Sequence, residues 1–101
     1  MAYIFFVDQK RFRWSEAKNK KLKSERNVSF EEMLEAVAEG GLLDVLEHPN
    51  RKRYGRQKLF VVQWADYVYL VPFVETEKEI FLKTIIPSRK FMKKHRRSHE
   101  K

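Results

Sequence analysis

Apolar residues recur at Phe30, Met33, Leu34, Val37 and Ala38, which is the i, i+3, i+4, i+7, i+8 spacing of a single helical stripe. Glu31, Glu32, Glu35 and Glu39 fall outside it. Ser29 stands where an N-cap belongs, and Glu32, three residues on, completes a capping box. Val28 and Met33 occupy hydrophobic-staple positions, and Gly40-Gly41 ends the helix. The segment before it is built differently. Glu16 to Arg26 is polar and basic, with Ala17 and Leu22 as its few apolar anchors. It predicts a second helix lying at the surface, opened by Ser15 and closed by Asn27 in a left-handed conformation.

Elsewhere the pattern is extended. Tyr3 to Val7 predicts a short strand, Arg11 to Trp14 another, and Leu42 to Glu47 an apolar extended run. Leu59 to Trp64 and Tyr67 to Glu75 are rich in β-branched and aromatic residues. Only Ala65-Asp66 separates them, so they predict a tight hairpin. Glu79 to Ile86 predicts a last strand, stopped by Pro87, after which Ser88 caps a basic C-terminal helix. His48 to Lys58 reads as a loop, because Pro49, Asn50 and Gly55 interrupt regular structure. The expected fold class is α+β in one domain spanning 1–101: two N-terminal helices on a curved antiparallel sheet of about four strands, closed by the basic tail at 88–101.

Charge changes this picture most at the C-terminal end. Of 22 Lys+Arg, seven fall in the last thirteen residues, against one of the 14 Asp+Glu, so that stretch carries 7 − 1 = +6 of the total +8. Such a concentration of cations fits a polyanion, because each cation placed on a phosphate releases counterions. The hydrophobic content of 43% and aromatic content of 14% are enough for a core. With no cysteine there is no disulfide and no thiolate chemistry. Three scattered histidines, His48, His95 and His99, do not compose a zinc site. No apolar run is long enough to span a bilayer, and the N-terminal residues lack the marks of a signal peptide. The expectation is a cytoplasmic protein with no membrane partner.

Two blocks carry a resemblance. Trp14-Ser15-Glu16-Ala17-Lys18-Asn19 leads without a gap to Val28-Ser29-Phe30-Glu31-Glu32. Thr84-Ile85-Ile86-Pro87-Ser88-Arg89-Lys90 is followed by basic residues. In that order and separation the chain, over roughly residues 12 to 97, resembles the BrnT family of bacterial toxins. The resemblance implies a RelE-like fold and the toxin half of a type II toxin–antitoxin system: a ribonuclease needing no metal or other cofactor that inhibits translation. Its implied partners are RNA (mRNA, including mRNA on the ribosome) and a cognate antitoxin, with operator DNA reached only through that antitoxin. The family's Asp after Trp is Ser15 here, its His-Gly is Arg26-Asn27, its strand Arg falls at Thr84, and its Ser-Ala-Arg is Pro87-Ser88-Arg89.

Metal-independent RNA cleavage needs a base for the 2′-hydroxyl, cations for the phosphorane and an acid for the leaving oxygen. Arg89, leaving the last strand, is the candidate to stabilise the phosphorane, since a guanidinium stays charged and can chelate two oxygens. Lys83, Lys18 (which matches the family Lys) and Tyr54 complete the catalytic candidates. Arg51, Lys52, Arg53, Arg56, Thr84, Lys90, Lys93 and Lys94 are the RNA-binding candidates. The converging carboxylates of a metal nuclease are missing from the pattern, because the acids lie on an amphipathic helix or in turns. Ordinary readings stand beside these. Charge runs such as Lys18 to Arg26 are usually solvated faces, Trp14 and Trp64 read first as packing residues, and His48 beside Pro49 reads first as a turn residue. The alternative function is a non-catalytic nucleic-acid-binding module, or a protein-interaction subunit, using the same basic surface.

Overall fold

The computed structural model describes residues 11–55 and 57–93, and for Arg51 and Tyr54 the backbone alone. The chain runs β1 (Arg11–Arg13), α1 (Glu16–Arg26), α2 (Phe30–Ala38), β2 (Leu42–Glu47), α3 (Arg51–Tyr54), β3 (Gln57–Trp64), β4 (Tyr67–Glu75), β5 (Glu79–Leu82) and β6 (Ile86–Pro87). A helical turn follows at 89–93, where the described residues end. The expected strand at Tyr3 to Val7 and the tail beyond Lys93 lie outside them.

The helices form where the pattern places them, and the caps explain their limits. The Ser15 hydroxyl accepts from the Lys18 N–H, and Asn27 closes α1 at φ 57°. The Ser29 hydroxyl accepts from the Glu32 N–H and donates to the Glu32 carboxylate, so the box is closed side chain to side chain. Two glycines end α2 for different reasons. Gly40 sits at φ 94°, which favours a residue without Cβ. At Gly41 a Cβ would lie 2.6 Å from the Gln63 carbonyl and 2.8 Å from that of Ala36, because the Gly41 carbonyl pairs with the Gln63 N–H.

Among the described residues the sheet is six-stranded, ordered β1-β5-β4-β3-β2, with β6 also on β4. That corrects the expectation of about four antiparallel strands: β1 pairs parallel with β5. The α1–α2 crossover accounts for it, carrying the chain from one edge of the sheet to the other. The last strand is also broken. Phe73 pairs with Leu82 and Leu70 with Ile86, so three residues, 83–85, face two, 71–72. This is a β-bulge. It returns Ile85 to the core, fully buried, three positions after the buried Leu82. The loop expected at 48–58 contains the single helical turn α3, capped by Asn50.

Leu22 of α1, Val28 ahead of α2, and Phe30, Met33, Ala36 and Val37 of α2 pack on Phe60, Val62, Val71, Phe73, Ile80, Leu82 and Ile85 of the sheet. Phe60 and Phe73 stack with centroids 3.9 Å apart. The opposite sheet face is buried too at Leu59, Val61, Val68 and Pro72.

The hairpin turn works against its own sequence. Ala65 and Asp66 have φ of 50° and 62°, the pair of positive values that defines a type I′ turn and favours Asn-Gly. Left-handed backbone costs a residue with a Cβ about 1–2 kcal/mol. Ala65→Asn combined with Asp66→Gly is therefore expected to raise stability by about 1 kcal/mol, or roughly 4–8 °C in Tm. Thermal denaturation followed by circular dichroism checks it, and an unchanged Tm contradicts the strain argument.

Candidate nucleic-acid interface

The first resemblance block serves the joint between α1 and α2. Trp14 stacks on Phe30, with centroids 5.6 Å apart. Asn19, 1% exposed, accepts from the Phe30 N–H at 2.9 Å and donates to Glu31 at 2.7 Å. The Glu31 carboxyl is held below its ordinary value of 4.5, first by the Asn19 amide and then by its own backbone N–H, against an opposing effect of burial, with Lys23 adding to the lowering. Four of the matching residues are thus spent on architecture. Among the described residues the enclosed Trp14 indole N–H has no acceptor.

The second block brings a cation onto the bulge. Lys18, Leu22 and Arg26 follow one another at i, i+4, i+8 along the inner side of α1. Leu22 enters the core, Lys18 is half-buried, and Arg26 reaches the last strand. There its Nη1 donates to the Ile85 carbonyl at 2.5 Å. This carbonyl belongs to the bulge, beside Thr84. The remaining guanidinium N–H groups have no protein partner among the described residues. Arg26 was read from the sequence as part of a basic helix face.

From the bulge the chain continues to Pro87, opposite Tyr69, and the Ser88 N–H donates to the Val68 carbonyl. The Ser88 hydroxyl and carbonyl then accept from the N–H groups of Phe91 and Met92. Arg89 and Lys90 therefore leave the sheet at the hairpin end, both exposed, as is Lys93. From Ile85 to Ser88 is about 10 Å at extended rise.

The other candidates stand apart. Lys83 is exposed, with Nζ 5.5 Å above the Phe81 ring. Phe81 alternates with the buried Ile80 and Leu82, so it and Lys83 lie on the sheet face away from α1, and the sheet separates Lys83 from Lys18 and Arg26. Tyr54 belongs to α3, beside the start of β3, where Gln57 pairs with Val74. Ser88 is at Val68. Val68 and Val74 are six positions apart on β4, about 20 Å. The backbone of Tyr54 therefore stands far from that of the catalytic candidate Arg89. Arg51, Lys52 and Arg53 share α3 and its end of the sheet. Arg56 and Lys94 lie outside the described residues, as do His95 and His99. His48 accepts from the Asn50 N–H through Nδ1, the geometry of a turn residue.

Among the described residues no three His, Cys, Asp or Glu side chains gather as a metal site, and no helix is long and apolar enough to cross a membrane. The chain matches no family model, no curated protein and no solved structure.

Proposed function

We propose that this chain is a BrnT-like toxin of RelE-like fold, a metal-independent endoribonuclease that stops translation and is neutralised by a small antitoxin. The observation that carries the reading is the seating of Arg26 on the bulge carbonyl of Ile85, at the strand break that leads into Ser88 and Arg89. Anchored N–H groups on the segment that leads to an exposed arginine, unpaired among the described residues, suit a phosphate, and they suit the extra negative charge of a phosphorane better still. Lys18, half-buried one turn before Leu22, lies on the same side of the sheet. The basic residues of α3 contact more distant nucleotides of a longer RNA. The antitoxin covers the same cations and brings its own DNA-binding part, so operator DNA is met only through it.

A second reading is RNA binding without cleavage. It is favoured by the distance of Tyr54 from Arg89, which leaves the leaving oxygen without its expected acid. The two readings part on purified protein incubated with labelled RNA in EDTA. Cleavage leaving 2′,3′-cyclic phosphate ends is the expected outcome. Stable binding with intact RNA supports the second reading, and RNA neither cut nor bound ends both.

A further inference from the structure

One face of the β3–β4 hairpin changes character along its length. Near the middle, Phe60 and Phe73 stack and are 3% and 0% exposed, beneath the helices. Toward the turn the same face carries Trp64, Tyr67 and Tyr69, all half-buried. Their rings are contiguous: Tyr67 to Tyr69 is 5.5 Å and Trp64 to Tyr69 is 6.2 Å. Both contacts are tilted, at 58° and 56°. A tilted contact sets an edge against a face, so three rings arranged this way do not consume all of one another's faces.

The surroundings of this triplet are cationic along one side. Pro87 pairs with Tyr69, and Ser88 bonds to Val68, so Arg89 and Lys90 emerge beside the rings. Arg26 approaches from α1 on the same sheet face. Ile86, 41% exposed on the strand between Arg26 and Arg89, adds apolar surface on the other sheet face. The nearby acids are Asp66 in the turn and Glu32, which is engaged by Ser29 and lies close enough to Tyr69 to help burial and Tyr67 raise that phenol's pKa. Unstacked bases beside a phosphate-binding strip are the ligand that aromatic faces with flanking cations suit.

We infer that Trp64, Tyr67 and Tyr69 form a stacking platform for one or two bases of single-stranded RNA, whose phosphates run past Arg89 and Lys90. This rests on the proposed RNA-directed role and adds to it the form of RNA taken: unpaired, because bases inside a duplex cannot reach the rings.

The test uses a short single-stranded oligoadenylate with 2′-O-methyl riboses, which the proposed cleavage cannot attack. Protein carrying Trp14→Phe leaves Trp64 as its tryptophan reporter. Titration is expected to quench Trp64 fluorescence. Tyr67→Leu, which keeps apolar bulk without a ring, should weaken binding about tenfold, and Tyr67→Phe should bind as the parent does. An abasic strand of equal charge should bind parent and Tyr67→Leu alike, and Arg89→Ala should weaken both strands. Thermal melts of each variant confirm that it is folded. An unquenched Trp64, or a Tyr67→Leu protein that binds the oligoadenylate as tightly as the parent, overturns the platform. Quenching and Tyr67 dependence with no cleavage of ordinary RNA leave the platform standing and remove the enzyme reading. Cleavage with a KM untouched by Tyr67→Leu does the reverse.

Discussion

On the proposed ribonuclease reading, Arg26→Ala is expected to slow RNA cleavage by about 10²–10³-fold, the loss typical of removing one preorganised donor from a developing anion. Arg89→Ala should cost less. The difference lies in what holds each guanidinium before substrate arrives. Arg26 is already fixed through Nη1 on the Ile85 carbonyl. Arg89 is exposed on the first turn after Ser88 and must be ordered by the substrate, at the cost of its rotamer freedom. Arg26→Lys should recover only part of the rate, because a single ammonium cannot chelate as the planar fork does. The lost bond to Ile85 also costs about 1 kcal/mol of stability. The comparison therefore belongs in single-turnover rates at saturating RNA well below Tm. If Arg26→Ala cleaves as fast as the unsubstituted protein, the bulge is a structural joint and nothing more.

What was legible in the sequence follows the reach of the interactions involved. The limits of α1 and α2 are set within four residues by Ser15, Asn27, Ser29 and Gly40, so local pattern sufficed. The β3–β4 hairpin was legible because two residues leave only one register. The parallel β1–β5 pair was not, since it joins Arg11 to Glu79 across most of the chain, and β1 is only three residues long. The bulge was hidden for a related reason. Lys83-Thr84-Ile85 reads as continuous strand, and only the opposing β4 reveals that it has one residue too many. The 48–58 segment contains Pro49 and Gly55 and read as loop, yet Asn50 caps a full turn there.

The site was legible in its residue types and less so in its geometry. Arg89 was found because strand, Pro87 and Ser88 fix where the basic run begins. Lys83 was grouped with Lys18 by residue type, but alternation from Ile80 sends it to the other face of the sheet. Tyr54 was grouped by composition, and composition carries no distance. Arg26 escaped because helix cations are usually solvated, and its contact with residue 85 is a tertiary fact. Trp14, Asn19, Phe30 and Glu31 drew attention as a motif. Their contacts show that a motif can be fixed by packing.

Asn19→Ala is the expected test of that last point. The amide spans the joint with both ends, accepting from the buried Phe30 N–H and donating to Glu31. Alanine leaves the N–H buried without a partner, which costs about 1–3 kcal/mol. Loss of the Glu31 bond brings the total to about 2–4 kcal/mol, or roughly 10–20 °C in Tm. The pH dependence gives an independent readout. Because the folded Glu31 carboxyl titrates below its ordinary 4.5, the unfolded chain binds more protons in the acid range just below that value. Stability from this group is therefore present above about that pH and is lost as pH falls through the folded value. Asn19→Ala removes the largest cause of the shift and should flatten this acid limb. Asn19→Asp should invert it: the acceptor for Phe30 survives, but the introduced carboxylate faces Glu31, so the variant is destabilised near neutrality and regains stability as acid protonates one of the pair. Chemical denaturation between pH 3 and 7, pH values chosen to bracket the roughly 4–4.5 range of ordinary carboxylates, reads both slopes. An Asn19→Asp protein whose stability falls with acid as steeply as the parent's would show that the amide–carboxylate bond contributes nothing to the joint.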